Sequence, residues 1–360
     1  MATKLIIFLV LFLCCFSIPP AVGNSETCSA EYVAEDSYRN VYYGFGALAH
    51  SKKMLDTFTT VFPTPAMGPE SLVFSSSGEG PYTGISDGRI LKYEGPQIGF
   101  VDFAYASPNR TKAVCDGTRD LRMGPKCGRP LGLGFNHRTS ELYIADAYYG
   151  LCKVGVEGGL ATQVAINAQG LPLKWTDGID VDQTTQIVYF TDVSTKYSMM
   201  EMAELLAAGD STGRLLSYNP KTKEVKVLMR GLKGAGRVGV SKDSSFVLVS
   251  EYMGGRIHKY FLMGPKTGES ELFIKIPAPA NIKRTFSGEF IVSSNLLIQE
   301  QEAMVVIPRG VRIKEYGDVL ETLIFGGIYN NSMINEVQEY GDAYYVGSIY
   351  VNFAAAANKM

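Results

Sequence analysis

The sequence predicts an all-β chain closed into a six-bladed β-propeller with one short inserted helix, and three observations predict it. A hexapeptide recurs as Gly88-Arg89-Ile90-Leu91-Lys92-Tyr93, Gly213-Arg214-Leu215-Leu216-Ser217-Tyr218 and Gly255-Arg256-Ile257-His258-Lys259-Tyr260, with Val311-Arg312-Ile313-Lys314-Glu315-Tyr316 as a degraded fourth copy. The first two copies start 125 residues apart and the next two 42 apart, close to three periods and one period of a four-stranded blade of ~40–45 residues. An apolar strand, a turn and a second strand also recur six times, with the period-two alternation of antiparallel strands. Finally, 38 glycines, 16 prolines and 21 tyrosines against one tryptophan favour short strands and turns over helices. Six repeated sheets with short, protected edges make a propeller. A β-sandwich leaves the repeated Gly-Arg hairpins unexplained.

Taken in order, the chain opens on a mildly basic Met1 to Lys4, an apolar run Leu5 to Ile18, the stop Pro19-Pro20 and the small residues Ala21-Val22-Gly23. Such a run is too short for the ~20 residues that span a bilayer, and the pattern is that of a cleaved secretory signal, residues 1–23. Residues 24–360 then form a single propeller domain. Cys14 and Cys15 leave with the signal, so Cys28, Cys115, Cys127 and Cys152 remain, and in an oxidising compartment four cysteines allow three pairings. Cys115 and Cys127 close a short polar loop, a natural place for a staple. Zinc is the weaker reading, because no Cys-x-x-Cys pair exists and His50, His137 and His258 lie far from the cysteines. The sequons at Asn109 and Asn330 fit the same secretory route.

The six repeated units follow. Glu70-Ser71-Leu72-Val73-Phe74 leads into Tyr82, and Leu131-Gly132-Leu133-Gly134-Phe135 into Leu142-Tyr143-Ile144. Asp177-Gly178-Ile179-Asp180-Val181 leads into Ile187-Val188-Tyr189-Phe190, and Gly236-Arg237-Val238-Gly239-Val240 into Phe246-Val247-Leu248-Val249. Ala280-Asn281-Ile282 leads into Phe290-Ile291-Val292, and Asn335-Glu336-Val337 into Tyr344-Tyr345-Val346. One segment departs from strand pattern: residues 198–208, with Met199, Met200, Met202, Leu205 and Leu206, read as a helix ending at Gly209. It is expected to pack as an insertion on one blade; the alternative is a lid over one mouth of the channel, where flexible methionines accept varied ligands.

Equivalent positions on the innermost strands form a ring about the axis: Glu70, Leu131, Asp177, Gly236, Ala280 and Asn335. Calcium needs six to eight oxygens, and Glu70, Asp177 and Asn335 offer only three to five. The competing reading has Glu70 and Asp177 capping strands through backbone N–H groups. Buried carboxylates need a cation or hydrogen-bond donors in either case. A carboxylate such as Glu70 in an apolar channel has a raised pKa suited to proton transfer, whereas its ring neighbour Asn335 cannot take a proton.

Near-balanced charge, 34 basic against 36 acidic residues for a net −2, carries no footprint for nucleic acid or anionic membrane. Gly84-Ile85-Ser86-Asp87-Gly88 matches a nucleophile-elbow pattern but sits between strands, where that motif needs a strand–turn–helix. It is a turn.

Several motifs together resemble the plant strictosidine synthase-like family: Gly80-Pro81-Tyr82-Thr83-Gly84 with Ser86-Asp87-Gly88-Arg89, Cys127-Gly128-Arg129-Pro130, Leu142-Tyr143-Ile144-Ala145-Asp146-Ala147-Tyr148, Gly158-Gly159-Leu160-Ala161-Thr162, Tyr189-Phe190-Thr191-Asp192 and Gly264-Pro265-Lys266. The resemblance runs from about residue 65 to 350. It implies a six-bladed propeller, a Cys115–Cys127 disulfide and a vacuolar glycoprotein. Strictosidine synthase condenses tryptamine with secologanin, using a channel glutamate that binds the amine and acts as base, a nearby histidine and aromatic rings. The matching stretch here reads Met333-Ile334-Asn335-Glu336-Val337-Gln338-Glu339, so the glutamate falls on Asn335 and the histidine on Met333. Glu336, one residue on, points to the opposite face by alternation. Tyr149 and Tyr252 fall at aromatic substrate positions. Loss of a general base costs ~10²–10⁴ in rate, so strictosidine synthesis is expected to be weak or lost.

The wider superfamily holds calcium-dependent lactonases and esterases; Glu70 and Asp177 resemble two of their ligands, while Gly236 and Ala280 do not, although Asn281 is kept beside Ala280. The resulting expectation is a monomeric, vacuolar propeller whose channel takes a small, partly aromatic molecule. It needs no cofactor, calcium being the alternative, and has no nucleic-acid partner and no membrane span. A calcium-assisted ester or lactone hydrolase and a non-enzymatic binding module are the competing functions.

Overall fold

The computed structural model describes residues 51–300 and 303–359, so the apolar leader and Cys28 lie outside the described residues. Six antiparallel sheets stand around one axis. Each is laid down from an innermost strand outward, in sequence order. The innermost strands are Leu72–Val73, Pro130–Asn136, Thr176–Val181, Ala235–Val240, Pro279–Arg284 and Glu336–Tyr340. The ring closes through the chain's own N-terminal part: Thr60–Pro63 pairs antiparallel with Phe353–Asn358 and supplies the outer strand of the sixth blade, Phe62 opposite Ala354. Two further parallel additions, Lys52–Leu55 on the fifth blade and Gly159–Leu160 on the first, extend those sheets.

The core follows from this stacking. A two-sided sheet must bury both faces, so apolar clusters form between successive blades rather than at one centre. Ile90 and Tyr82 of the first blade pack with Leu133, Leu142 and Ile144 of the second; Tyr143 and Leu151 pack with Ile179, Phe190 and Leu216 of the third. The seam between sixth and first blades is aromatic: Phe62 meets Tyr93 edge-on at 4.8 Å between ring centres, and Phe74 stacks on Tyr340 at 3.7 Å.

The repeated Gly-Arg hairpin has a physical reason. An acid ending the second strand of a blade holds the loop that enters the innermost strand and pairs with the arginine that opens the third strand. Asp192 accepts from the N–H groups of Lys174 and Trp175 at 3.0 and 2.9 Å, and pairs with the fully buried Arg214 at 2.6 Å. Glu251 accepts from the Lys233 N–H at 2.7 Å and binds Arg256 and His258. In the fifth blade the counterpart arginine is Arg309, which lies across from Ser294, and not Arg312 of the degraded hexapeptide copy. That copy is offset by three residues, because strand alternation lets Arg312 mimic the pattern while it pairs with Glu289 and Glu321 further out. The Gly-x-Ser-x-Gly segment is a turn, with Gly88 at φ +89° packed against the Cys127 carbonyl.

Cys115 and Cys127 form a disulfide. Cys152 is buried between the first two blades and has no disulfide partner among the described residues. The predicted helix is present as a 3-10 turn Met199–Glu201 followed by an α-helix Met202–Ala208. Glu201 accepts from both the N–H and the hydroxyl of Ser198, and the helix stops at Gly209 in the left-handed region. Its position differs from the expected one. The segment does not merely ride on a blade: Met199, Met202, Leu205 and Leu206 close over the channel mouth. Met199 and Leu205 are buried there, with Met202 and Leu206 packed beside them against Leu131, Trp175 and Val193. No helix among the described residues is long and apolar enough to cross a membrane.

Candidate functional site

The channel opens into a cavity of about 910 Å³, mouth included, and all six ring residues, Glu70, Leu131, Asp177, Gly236, Ala280 and Asn335, line it. The helical segment 199–206 and Met253 form its apolar roof, with Tyr252 and Met333 on the wall. Tyr252 is buried deeply enough that its phenol is pushed up to about 12. Tyr149 lies elsewhere. Its hydroxyl bonds Ser107 and the Pro125 carbonyl, both at 2.8 Å, and its ring packs beside the core between blades one and two. The turn at Asp146, which accepts the N–H groups of Tyr148 and Tyr149, directs that ring toward the disulfide loop and away from the axis.

A residue that the sequence reading left out dominates the site. Arg237 sits between the two ring carboxylates: its Nη2 pairs with Glu70 Oε1, lies 3.2 Å from Asp177 Oδ1, and its Nη1 donates to the Asp177 carbonyl at 2.8 Å. Strict alternation from Gly236 would turn Arg237 into the blade. The innermost strand is irregular between Ala235 and Val238, and a bulge re-aims the side chain at that point. Glycines make the room: a Cβ on Gly178 would meet the Arg237 Cα at 2.6 Å, and one on Gly132 would meet its Nη1 at 3.0 Å. The available signal was electrostatic, since two carboxylates in an apolar ring need a donor and Arg237 is the cation next to a ring position.

This arrangement bears on how the ring could hold a metal. A divalent ion would compete for Glu70 and Asp177 with the guanidinium, which already holds Glu70 Oε1 and lies 3.2 Å from Asp177 Oδ1. No group of three or more acidic, histidine or cysteine side chains among the described residues is placed to hold a metal ion. The ring does not fit calcium. Burial pushes Asp177 up to about 6; Arg237 opposes and Glu70 reinforces that shift. Neither carboxylate caps a strand.

Asn335 is fixed by its surroundings. Its Oδ1 accepts the Ile349 N–H at 2.9 Å, its backbone N–H bonds Gly347, and its carbonyl accepts from Asn281 N–H at 3.1 Å and from Ser293. With one lone pair of the side-chain oxygen engaged, this position offers a ligand the amide NH₂ and the oxygen's second lone pair. Glu336 faces away, fully buried, where it accepts from Leu72 N–H at 2.7 Å and Ser71 at 3.1 Å, binds Asn281 and pairs with Lys283 at 3.2 Å. It joins blades five, six and one.

Three buried polar atoms of the cavity-lining residues make no hydrogen bond among the described residues: Arg237 Nη2, which nonetheless lies in ion-pair contact with Glu70 and Asp177, and Glu70 Oε2 and Trp175 Nε1, on residues 5% and 7% exposed. Trp175 is held in place by the Asp192–Arg214 staple described above and packs with Leu131, Val193 and Leu205 under the roof.

A strictosidine synthase family model matches residues 177–265. The chain is 42% identical over 289 residues to strictosidine synthase of Catharanthus roseus, covering 80% of this chain and 82% of that protein. It is 41% identical to strictosidine synthase-like protein 12 of Arabidopsis thaliana, covering 81% and 87%. Among solved structures, a gluconolactonase from Xanthomonas campestris aligns with a TM-score of 0.57 at 11% identity, covering 83% of this chain and 89% of that one. A calcium-binding regucalcin from Agrobacterium tumefaciens gives 0.58 at 11%, covering 85% and 95%. At such identity these last two speak to the fold alone.

Proposed function

This chain belongs to the strictosidine synthase family, and from that premise we propose that it is a small-molecule-binding propeller in which the condensing base has been lost. One observation carries the proposal: at the position of the family's catalytic glutamate stands Asn335, whose oxygen accepts the Ile349 N–H. An ammonium finds there a neutral amide oxygen, already accepting one hydrogen bond, in place of a carboxylate, and an amide cannot remove the proton that completes an amine–aldehyde ring closure. The apolar roof and Tyr252 support an apolar, partly aromatic ligand. The guanidinium held between Glu70 and Asp177 weighs against metal-assisted ester or lactone hydrolysis, so the protein needs no metal cofactor. The apolar leader and the exposed sequon at Asn109 support passage through the secretory route as a glycoprotein; the vacuole as destination and a monomeric state complete the proposal.

The test is product formation from tryptamine and secologanin. The natural protein is expected to run at least ~10²-fold below an active family enzyme assayed beside it. Strictosidine formation at a comparable rate would overturn the proposal and move the base to another cavity residue.

A further inference from the structure

We infer that the cavity selects a neutral, hydroxyl-bearing ligand through Glu70 Oε2 and Trp175 Nε1. The inference rests on the channel being a ligand site, as proposed above, and adds the chemistry of what enters it.

Of the three buried atoms without a hydrogen bond, Arg237 Nη2 lies against the Glu70 and Asp177 carboxylates, and the two atoms with no such contact are of opposite sense. Glu70 Oε2 is an acceptor with no donor, and Trp175 Nε1 is a donor with no acceptor. A buried polar group without a partner is costly, and two on residues that line one cavity are explained together if a ligand, once seated, supplies both partners. A hydroxyl is the common group that both donates and accepts. An ammonium only donates and leaves the indole N–H unmet. A carboxylate only accepts and brings a third negative charge beside Glu70 and Asp177. Arg237 gives it no relief, because that guanidinium is already committed to both ring carboxylates.

Charge points the same way. Glu70, Asp177 and Arg237 are the charged residues lining the cavity. Arg129, buried behind them with its guanidinium on the Gly68 carbonyl at 3.4 Å, adds a second positive charge next to Glu70. Two acids and two guanidiniums leave no net charge for an ionic ligand to balance, and desolvating such a ligand under the methionine roof is costly. Glu70 pairs with Arg237, and a hydrogen bond that an ion-paired carboxylate accepts from a hydroxyl is of the stronger, charge-assisted kind.

Trp175 is the chain's one tryptophan, so its emission reports directly on the cavity. The experiment titrates the protein at pH 7.5 with four probes sharing one body: 2-phenylethanol, 2-phenylethylamine, phenylacetate and ethylbenzene. The alcohol is expected to shift Trp175 emission with a Kd at least tenfold below the other three, and Glu70→Gln to weaken the alcohol about five- to tenfold while leaving ethylbenzene unchanged. Tighter or equal binding of the amine or the carboxylate overturns the inference, as does equal binding of ethylbenzene; in each case the channel still binds, and the broader reading stands. If none of the four moves the emission or the melting temperature, the broader reading falls with it. The wild-type series decides the matter even if Glu70→Gln does not fold.

Discussion

At the scale of the residue, the chemistry of the channel turns on two side chains that sequence reading weighed unequally. Asn335 was legible, because the matching of Met333 to Glu339 with the family stretch needs only counting. Arg237 was not, because a bulge is a departure from the very alternation used to assign faces, and nothing in Gly-Arg-Val-Gly-Val announces one. Its removal has a definite consequence. Arg237→Ala removes the guanidinium paired with Glu70 and Asp177 and leaves only Arg129 nearby, a change that costs about 3–5 kcal/mol. Calcium is expected to restore part of that loss in the variant, read as a rise in melting temperature, and to leave the natural protein's melting temperature unchanged. A natural protein that calcium stabilises would contradict the role given to Arg237. Asn335→Glu makes the complementary test: one carboxylate oxygen takes over the Ile349 N–H and the other faces the ligand. Strictosidine formation is then expected to rise ~10²-fold or more over the natural protein; no gain would mean that the pocket around Met333 no longer holds the amine.

At the scale of the element, the strands were readable and their additions were not. The six innermost strands announce themselves through period two and a recurring hairpin, and the acid–arginine staples explain why that hairpin is repeated rather than merely similar. The inserted helix was readable as a helix from its methionines and leucines, yet its placement depends on which surface buries those residues best, and the apolar channel mouth lies beyond the reach of local pattern. Tyr149 went astray for a related reason: Asp146 fixes a turn whose direction no spacing reveals. The closing strand is the element most exposed to test. Thr60–Pro63 covers the edge of Phe353–Asn358, and Phe62 carries the aromatic seam to Tyr93. Removing residues through 63 leaves an unpaired, alanine-rich strand edge, a template for pairing with another chain. The truncated protein is expected to elute as dimers or larger species in size-exclusion chromatography, with a lower melting temperature. A stable truncated monomer would show that the blades hold the ring without that strand.

At the scale of the whole molecule, the buried carboxylates set how stability depends on pH. Burial raises Asp146 and Asp177 from 3.8 to about 6, and moves Asp180, Asp192 and Glu336 in the same direction. Between those limits the folded chain holds protons that the unfolded chain has released, so stability falls as pH rises through about 6. Glu251 acts oppositely: although burial opposes it, His258, Arg256 and the Lys233 N–H lower it to about 2. Its contribution is present above 4.5 and is lost as pH drops toward 2. The two trends leave a maximum on the acid side of neutrality, where a protein of an acidic compartment would work. The urea midpoint is therefore expected to be higher at pH 5 than at pH 7.5. Asp177→Asn, which cannot titrate, should remove a share of that difference on the order of 1–3 kcal/mol, while its amide still accepts from Arg237. A midpoint that climbs from pH 5 to 7.5 would mean that the arginines, and not burial, govern these carboxylates, and the guanidinium-centred ring would then hold its charges far more tightly than its burial alone implies.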